Sequence, residues 1–179
     1  MLRSSLGLLL CVHARAGDVT VVRSDSRSVE IEYRPQYAEP RTVVARGTSY
    51  TLMDFQGGQT VSGSDAAGGP DLRYRYIPLA FPGERGNSLQ VIAADYEDVS
   101  NTMVVPVPTL HRNEKAPASL AYKPDPARYR QSRFLPGSVA DLAPVGKVRN
   151  MLLGGVLVTP FNTTRRPGRC ANTPASSWR

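Results

Sequence analysis

The side chains able to do chemistry are few and scattered. His111 is the only histidine beyond residue 16, and it lies in a polar stretch where a solvated surface role is the simpler reading. No serine sits in a G-x-S-x-G turn, and neither a G-x-x-x-x-G-K-[ST] loop nor a G-x-G-x-x-G loop occurs. The two cysteines, Cys11 and Cys170, stand at opposite ends with no CxxC pair and no zinc-ligand spacing. Residues 57–69 are glycine-rich and look like a phosphate cradle, but no Lys-Ser/Thr pair or amphipathic helix follows, so a hairpin loop is expected. Asp95, Glu97 and Asp98 form a compact acidic group. A hard cation wants about six to eight oxygens, and this spacing matches no EF-hand loop, so the group reads as a solvated turn. The eight tyrosines fall at strand positions rather than in a stacking array. No catalytic residue, cofactor site or metal site is assigned.

The elements that would carry a site are strands. Val29, Ile31 and Tyr33 alternate with Glu30, Glu32 and Arg34, the period-two pattern of a half-buried antiparallel strand. Shorter runs of the same kind recur at 19–22, 42–45, 50–55, 74–79, 89–93 and 103–107. Gly47, Gly57-Gly58, Gly63, Gly68-Gly69-Pro70 and Pro82-Gly83 punctuate them as turns. Prolines at 35, 40, 70, 78, 82, 106 and 108 leave no room for a long helix. Residues 109–133 lose the alternation, carry Pro117, Pro124 and Pro126, and read as an extended connector within the domain. Two apolar strands follow at 139–148 and 151–161, the second a near-continuous run expected to be central, with Gly154-Gly155 marking a bulge or bend. The expectation is an all-β fold, an antiparallel sandwich or barrel-like domain with a long proline-rich connector.

Charge divides the chain into three parts. The whole carries 22 basic and 15 acidic residues, a net charge of +7. Six of the basic residues lie in 1–16 and 165–179, which hold no acid, leaving 16 against 15 in the body. The nearly neutral body excludes the nucleic-acid reading that the total invites. Residues 1–16 read as a signal peptide: Arg3, the apolar run at 6–12, then Ala14-Arg15-Ala16 as the cleavage site. The expected location is therefore the periplasm, the outer-membrane surface or the exterior. No apolar run reaches the length of a transmembrane helix. Residues 165–179 (RRPGRCANTPASSWR) show no alternation and read as a basic tail, disordered or translated out of frame. A body of roughly 150 residues can bury a full core without disulfide or metal.

The order of several segments is more specific than any one of them. Gly69-Pro70-Asp71-Leu72 precedes Tyr76-Ile77-Pro78-Leu79-Ala80-Phe81-Pro82; then come Val104-Val105-Pro106-Val107-Pro108, Phe134-Leu135-Pro136, Gly146 with Arg149, and Val158-Thr159-Pro160-Phe161-Asn162. This succession, across about 18–164, resembles the N-terminal propeptide region of gingipain-type cysteine peptidases, and especially the related sortase of the type IX secretion system. Arg73, Leu135 and Asn150 stand where the family usually has proline, an aromatic residue and glycine, and the pattern breaks off after Asn162. The resemblance implies a non-catalytic β prodomain at 17–164 that keeps a secreted cysteine peptidase latent and assists its folding. Its partner would be the cognate peptidase domain, in cis or in trans, and the early break implies a truncated gene product. In relatives specific for basic residues a prodomain side chain blocks the substrate pocket, which makes Lys123, Arg128, Arg130 and Arg133 candidates for an inhibitory contact. The alternative, without the resemblance, is a secreted carbohydrate- or surface-binding sandwich. A third, carried by the tail alone, is a basic arm for nucleic acid or anionic lipid.

Overall fold

The computed structural model describes residues 15–61, 65–95, 97–99, 102–113, 116–131, 134–163, 170–172 and 176–178. Strands β1 (Arg15–Ala16), β2 (Val19–Ser24), β3 (Val29–Tyr33), β4 (Arg41–Ala45) and β5 (Thr48–Leu52) open the chain. β6 (Arg75–Phe81), β7 (Val91–Ala94), β8 (Glu97–Val99), β9 (Thr109–Asn113) and β10 (Ala116–Ala121) follow, then a single helical turn, α1 (Pro126–Tyr129). The remainder is β11 (Ala140–Val148), β12 (Met151–Val158), β13 (Phe161–Thr163), β14 (Cys170–Asn172) and β15 (Ser176–Trp178). The sheets run β1-β2-β3-β15-β7, β11-β12-β6 and β13-β14-β8, with β4–β5 and β9–β10 as separate hairpins. Every strand pair is antiparallel.

The alternation in β3 does what its period requires. Ile31 and Tyr33 are buried at 2% and 1% exposure, and Val19 and Val21 of β2 lie directly opposite them. They join Ile77 of β6 and Val156 and Val158 of β12 in one core that also takes in Met53, Phe55, Val104 and Phe161. The core thus lies where the five-stranded and three-stranded sheets face each other, and each such side chain adds about 1.5–3 kcal/mol of transfer free energy. The all-β expectation holds.

β12 is the central strand expected from its apolar run, between β11 and β6, with Gly154, Gly155 and Val156 buried. The bulge falls on its neighbour instead. Ala143 pairs with Gly155 and Gly146 with Leu153, so Pro144 and Val145 together oppose Gly154. Proline removes a ladder donor, and the edge strand β11 can spare it. The glycines serve a different purpose: a Cβ on Gly155 would collide with the Ile77 carbonyl and stand 2.6 Å from the Tyr76 ring. The Tyr76 ring occupies that space, and its hydroxyl donates to the Gly154 carbonyl at 2.7 Å.

Two regions carry structure that their composition does not announce. Residues 109–133 are not simply extended, since β9 and β10 form a hairpin and α1 follows, capped by Asp125, whose Oδ1 accepts from the Ala127 N–H at 2.9 Å. Within 165–179, the backbones of β14 and β15 occupy interior places in their sheets, β14 between β13 and β8 and β15 between β3 and β7. Ladder bonds use main-chain groups that every residue except proline carries, so side-chain composition gives no sign of them. Residues 1–14, which carry most of the signal-peptide reading, lie outside the described residues.

Candidate functional site

The segments whose order is distinctive meet in space. Gly68 N–H donates to the Val107 carbonyl at 3.0 Å, Val107 N–H to Gly69 at 2.7 Å, and Asp71 N–H to Val105 at 2.8 Å. The Gly69-Pro70-Asp71 turn is thereby zipped to Val105-Pro106-Val107. On its other side that segment bonds β5: Thr51 N–H donates to Met103 at 2.7 Å, and Val105 N–H to Thr51 at 2.9 Å. Residues 103–107 form bridges rather than the full strand expected, because Pro106 supplies no N–H. Leu135 and Thr163 exchange both backbone bonds, at 2.8 and 2.9 Å, which joins the Phe134-Leu135-Pro136 segment to β13.

Asp71 is the buried charge at the centre of this zone, 3% exposed. Its Oδ2 accepts from the Thr60 hydroxyl at 3.2 Å and lies 3.8 Å from Arg73 Nε. Arg73 also reaches Asp54 at 2.8 Å, and Arg41 lies 3.6 Å from Asp54. Burial pushes the Asp71 carboxyl above the usual carboxylate range, and Arg73 and Thr60 only partly offset it. The arginine at the position where proline is usual is therefore absorbed as a counter-ion. A second pair, Arg75 Nε to Asp18 Oδ2 at 3.5 Å, ties β6 to the β1–β2 turn. Arg75 lies so close over Gly57 (φ +75°) that a Cβ there would meet its guanidinium at 2.5 Å.

The four basic candidates separate. Arg128 is held in place: its guanidinium donates to the Asp65 carbonyl, its Nε lies 3.5 Å from Asp125, and its stem crosses Gly69. The turn it belongs to is anchored as well, since Asp125 N–H donates to Gly68 at 2.8 Å and the Tyr129 hydroxyl to Val104 at 2.7 Å. Burial raises the Tyr129 phenol above its ordinary value. Arg128 also borders a cavity of about 470 Å³ that Leu72, Val107, Leu135 and Pro136 help to line. Lys123 and Arg130 are exposed on either side of α1. Arg133 lies outside the described residues. The β9–β10 hairpin, which the sequence reading missed, pairs with no other strand among the described residues and carries Arg112. Its signal was weak because residues 116–121 (APASLA) have no alternation. Asp98 and Glu97 pair through β8 with β14, and among the described residues no cluster of acidic, histidine or cysteine side chains could hold a metal.

The family model Propeptide_C25 matches residues 12–165, a range that holds all of the ordered motif segments. The chain belongs to the Propeptide_C25 family. It is an N-terminal propeptide region of gingipain-type cysteine peptidases, and as a propeptide it is not itself the enzyme. The fold agrees. A structure of the complex of Porphyromonas gingivalis RgpB pro- and mature domains matches with a TM-score of 0.81 over 92% of this chain and 83% of that chain, at 16% identity. A structure bearing on zymogenic latency of gingipain K from Porphyromonas gingivalis matches with a TM-score of 0.70 over 96% of this chain and 93% of that chain, at 12% identity. No curated protein matches the chain. Within Propeptide_C25, the order of the motifs reports which turns and segments are zipped together rather than any reacting group.

Proposed function

We propose that this propeptide holds a cognate secreted C25 cysteine peptidase latent and assists its folding, with the type IX secretion sortase as the kind of peptidase it serves. The observation that carries the reading is the likeness, over 92% of the chain, to a prodomain solved in complex with its mature domain. The surface that would face the peptidase holds the β9–β10 hairpin with Arg112, and Lys123 and Arg130 around α1. Arg128 positions α1 and stays with the propeptide. Export through residues 1–16 and an inhibitory role for Arg133 belong to the same proposal.

The test uses the C25 peptidase domains encoded in the same genome. The full chain should co-purify with at least one of them and suppress its hydrolysis of a fluorogenic peptide. Arg112→Ala, Lys123→Ala and Arg130→Ala together should weaken inhibition by about tenfold or more, the loss of one or two charge-assisted contacts. A chain that forms no complex with any of these domains refutes the proposal. Inhibition unchanged in the triple variant places the contact elsewhere on the propeptide.

A further inference from the structure

The open end of the sandwich contains a cavity of about 490 Å³, between the β2–β3 turn and the segment that joins β6 to β7. That volume lies within the range of roughly 300–1,000 Å³ typical of small-ligand pockets. Its floor is aliphatic: Ile31, Leu79, Leu89, Leu142 and Val156 come from both sheets and from the β6–β7 segment. Ile31 and Val156 are each 2% exposed, so the floor is continuous with the core. Phe81 is the one aromatic residue among those that line it.

The rim has the opposite character. Arg27 and Arg85 line it from its two flanking loops, both exposed and neither in an ion pair among the described residues. The one acid lining the cavity is Asp25, and its carboxylate is already committed within its own turn. Oδ1 accepts from the N–H groups of Arg27 and Ser28, each at 2.8 Å, and Oδ2 from the Ser28 hydroxyl at 3.0 Å with Arg23 at 3.4 Å. The Asn87 amide, which also lines the cavity, donates to Gly83 at 2.8 Å and so braces the facing loop. The entrance therefore presents two cations without an ion-pair partner among the described residues, beside an aliphatic floor.

We infer that this cavity binds an unbranched aliphatic carboxylate, with the chain on the Ile31, Leu142 and Val156 floor and the carboxylate between Arg27 and Arg85. Apolar burial supplies the affinity and the guanidinium pair selects the anion, because arginine matches a carboxylate in planar, two-pronged geometry. The site is separate from α1 and the β9–β10 hairpin and does not depend on the peptidase reading.

Calorimetric titration of the full chain with decanoate, below the concentration at which it forms micelles, tests this. Decanoate should bind one to one, and decanol at least about tenfold more weakly. Arg27→Gln with Arg85→Gln alters only exposed side chains and should bring decanoate binding down to the decanol level. Leu142→Trp should block both ligands; if that variant does not fold, Leu89→Trp on the β6–β7 segment serves the same end. Absence of decanoate binding, equal affinity for decanol, or full affinity in the double arginine variant each overturns the assignment.

Discussion

Asp71 shows how a distinctive residue can be structural. A search for chemistry passes over it, because an aspartate after Gly69-Pro70 looks like turn material. The fold buries it at 3% exposure, with one oxygen on Thr60 and Arg73 and the other, Oδ1, without a hydrogen-bond partner. Its carboxyl is raised above the ordinary value of 3.8, with burial the leading cause. A raised carboxyl pKa in the folded state means that folding favours the protonated form. Its contribution to stability is fully present below pH 3.8 and is lost as pH rises through the raised value. Asp71→Asn keeps an acceptor for Thr60 and leaves Arg73 its Asp54 partner, so the urea midpoint at pH 7 should rise. The advantage over the parent should shrink as pH falls toward 4. Equal loss of stability at both pH values would show that the ion pair with Arg73 outweighs the burial of charge. Arg128, a candidate for an inhibitory contact by charge and place, also has partners within the fold, Asp125 and the Asp65 carbonyl.

Elements were legible wherever one face is wet and the other dry. β3 and β6 alternate because water lies on one side of them and the common core on the other, so period two appears in the residues themselves. β12 was legible for the opposite reason, being covered on both faces. The β9–β10 hairpin left no such trace, since a strand pair outside the core imposes no apolar face. Turns carry their own constraint. Arg46-Gly47 links β4 and β5 with φ of +52° and +76°, a two-residue turn that prefers Asn-Gly. Arginine tolerates a positive φ poorly, so Arg46→Asn should raise stability by about 0.5–1 kcal/mol in thermal or urea unfolding. No gain would mean that the turn relaxes in solution to a conformation with negative φ. Arg149, φ +55°, sits in the matching turn between β11 and β12, one residue before the Asn150 that replaces the family's glycine.

For the whole molecule the decisive question is what the last fifteen residues do. By composition they look foreign to the domain, yet β14 and β15 each lie between two strands of the body. Deleting residues 165–179 should leave β7 and β8 without these neighbours, lowering stability by at least about 2 kcal/mol and reducing the urea m-value. An unchanged midpoint and m-value would show that the body closes without them. Reading the chain by itself determined the all-β class, the near-neutral body and the membership in a propeptide family. Those properties follow from local period, turn residues and motif order, each a record of solvent on one side of the chain or of a required backbone angle. Only the tertiary structure decided that Asp71 is buried against Arg73, that Arg128 reaches Asp125 and the Asp65 carbonyl, and that a cavity lined by Arg27 and Arg85 opens beside the β2–β3 turn. Each depends on groups dozens of residues apart meeting at a few ångströms, and burial and pairing exist only once they have met.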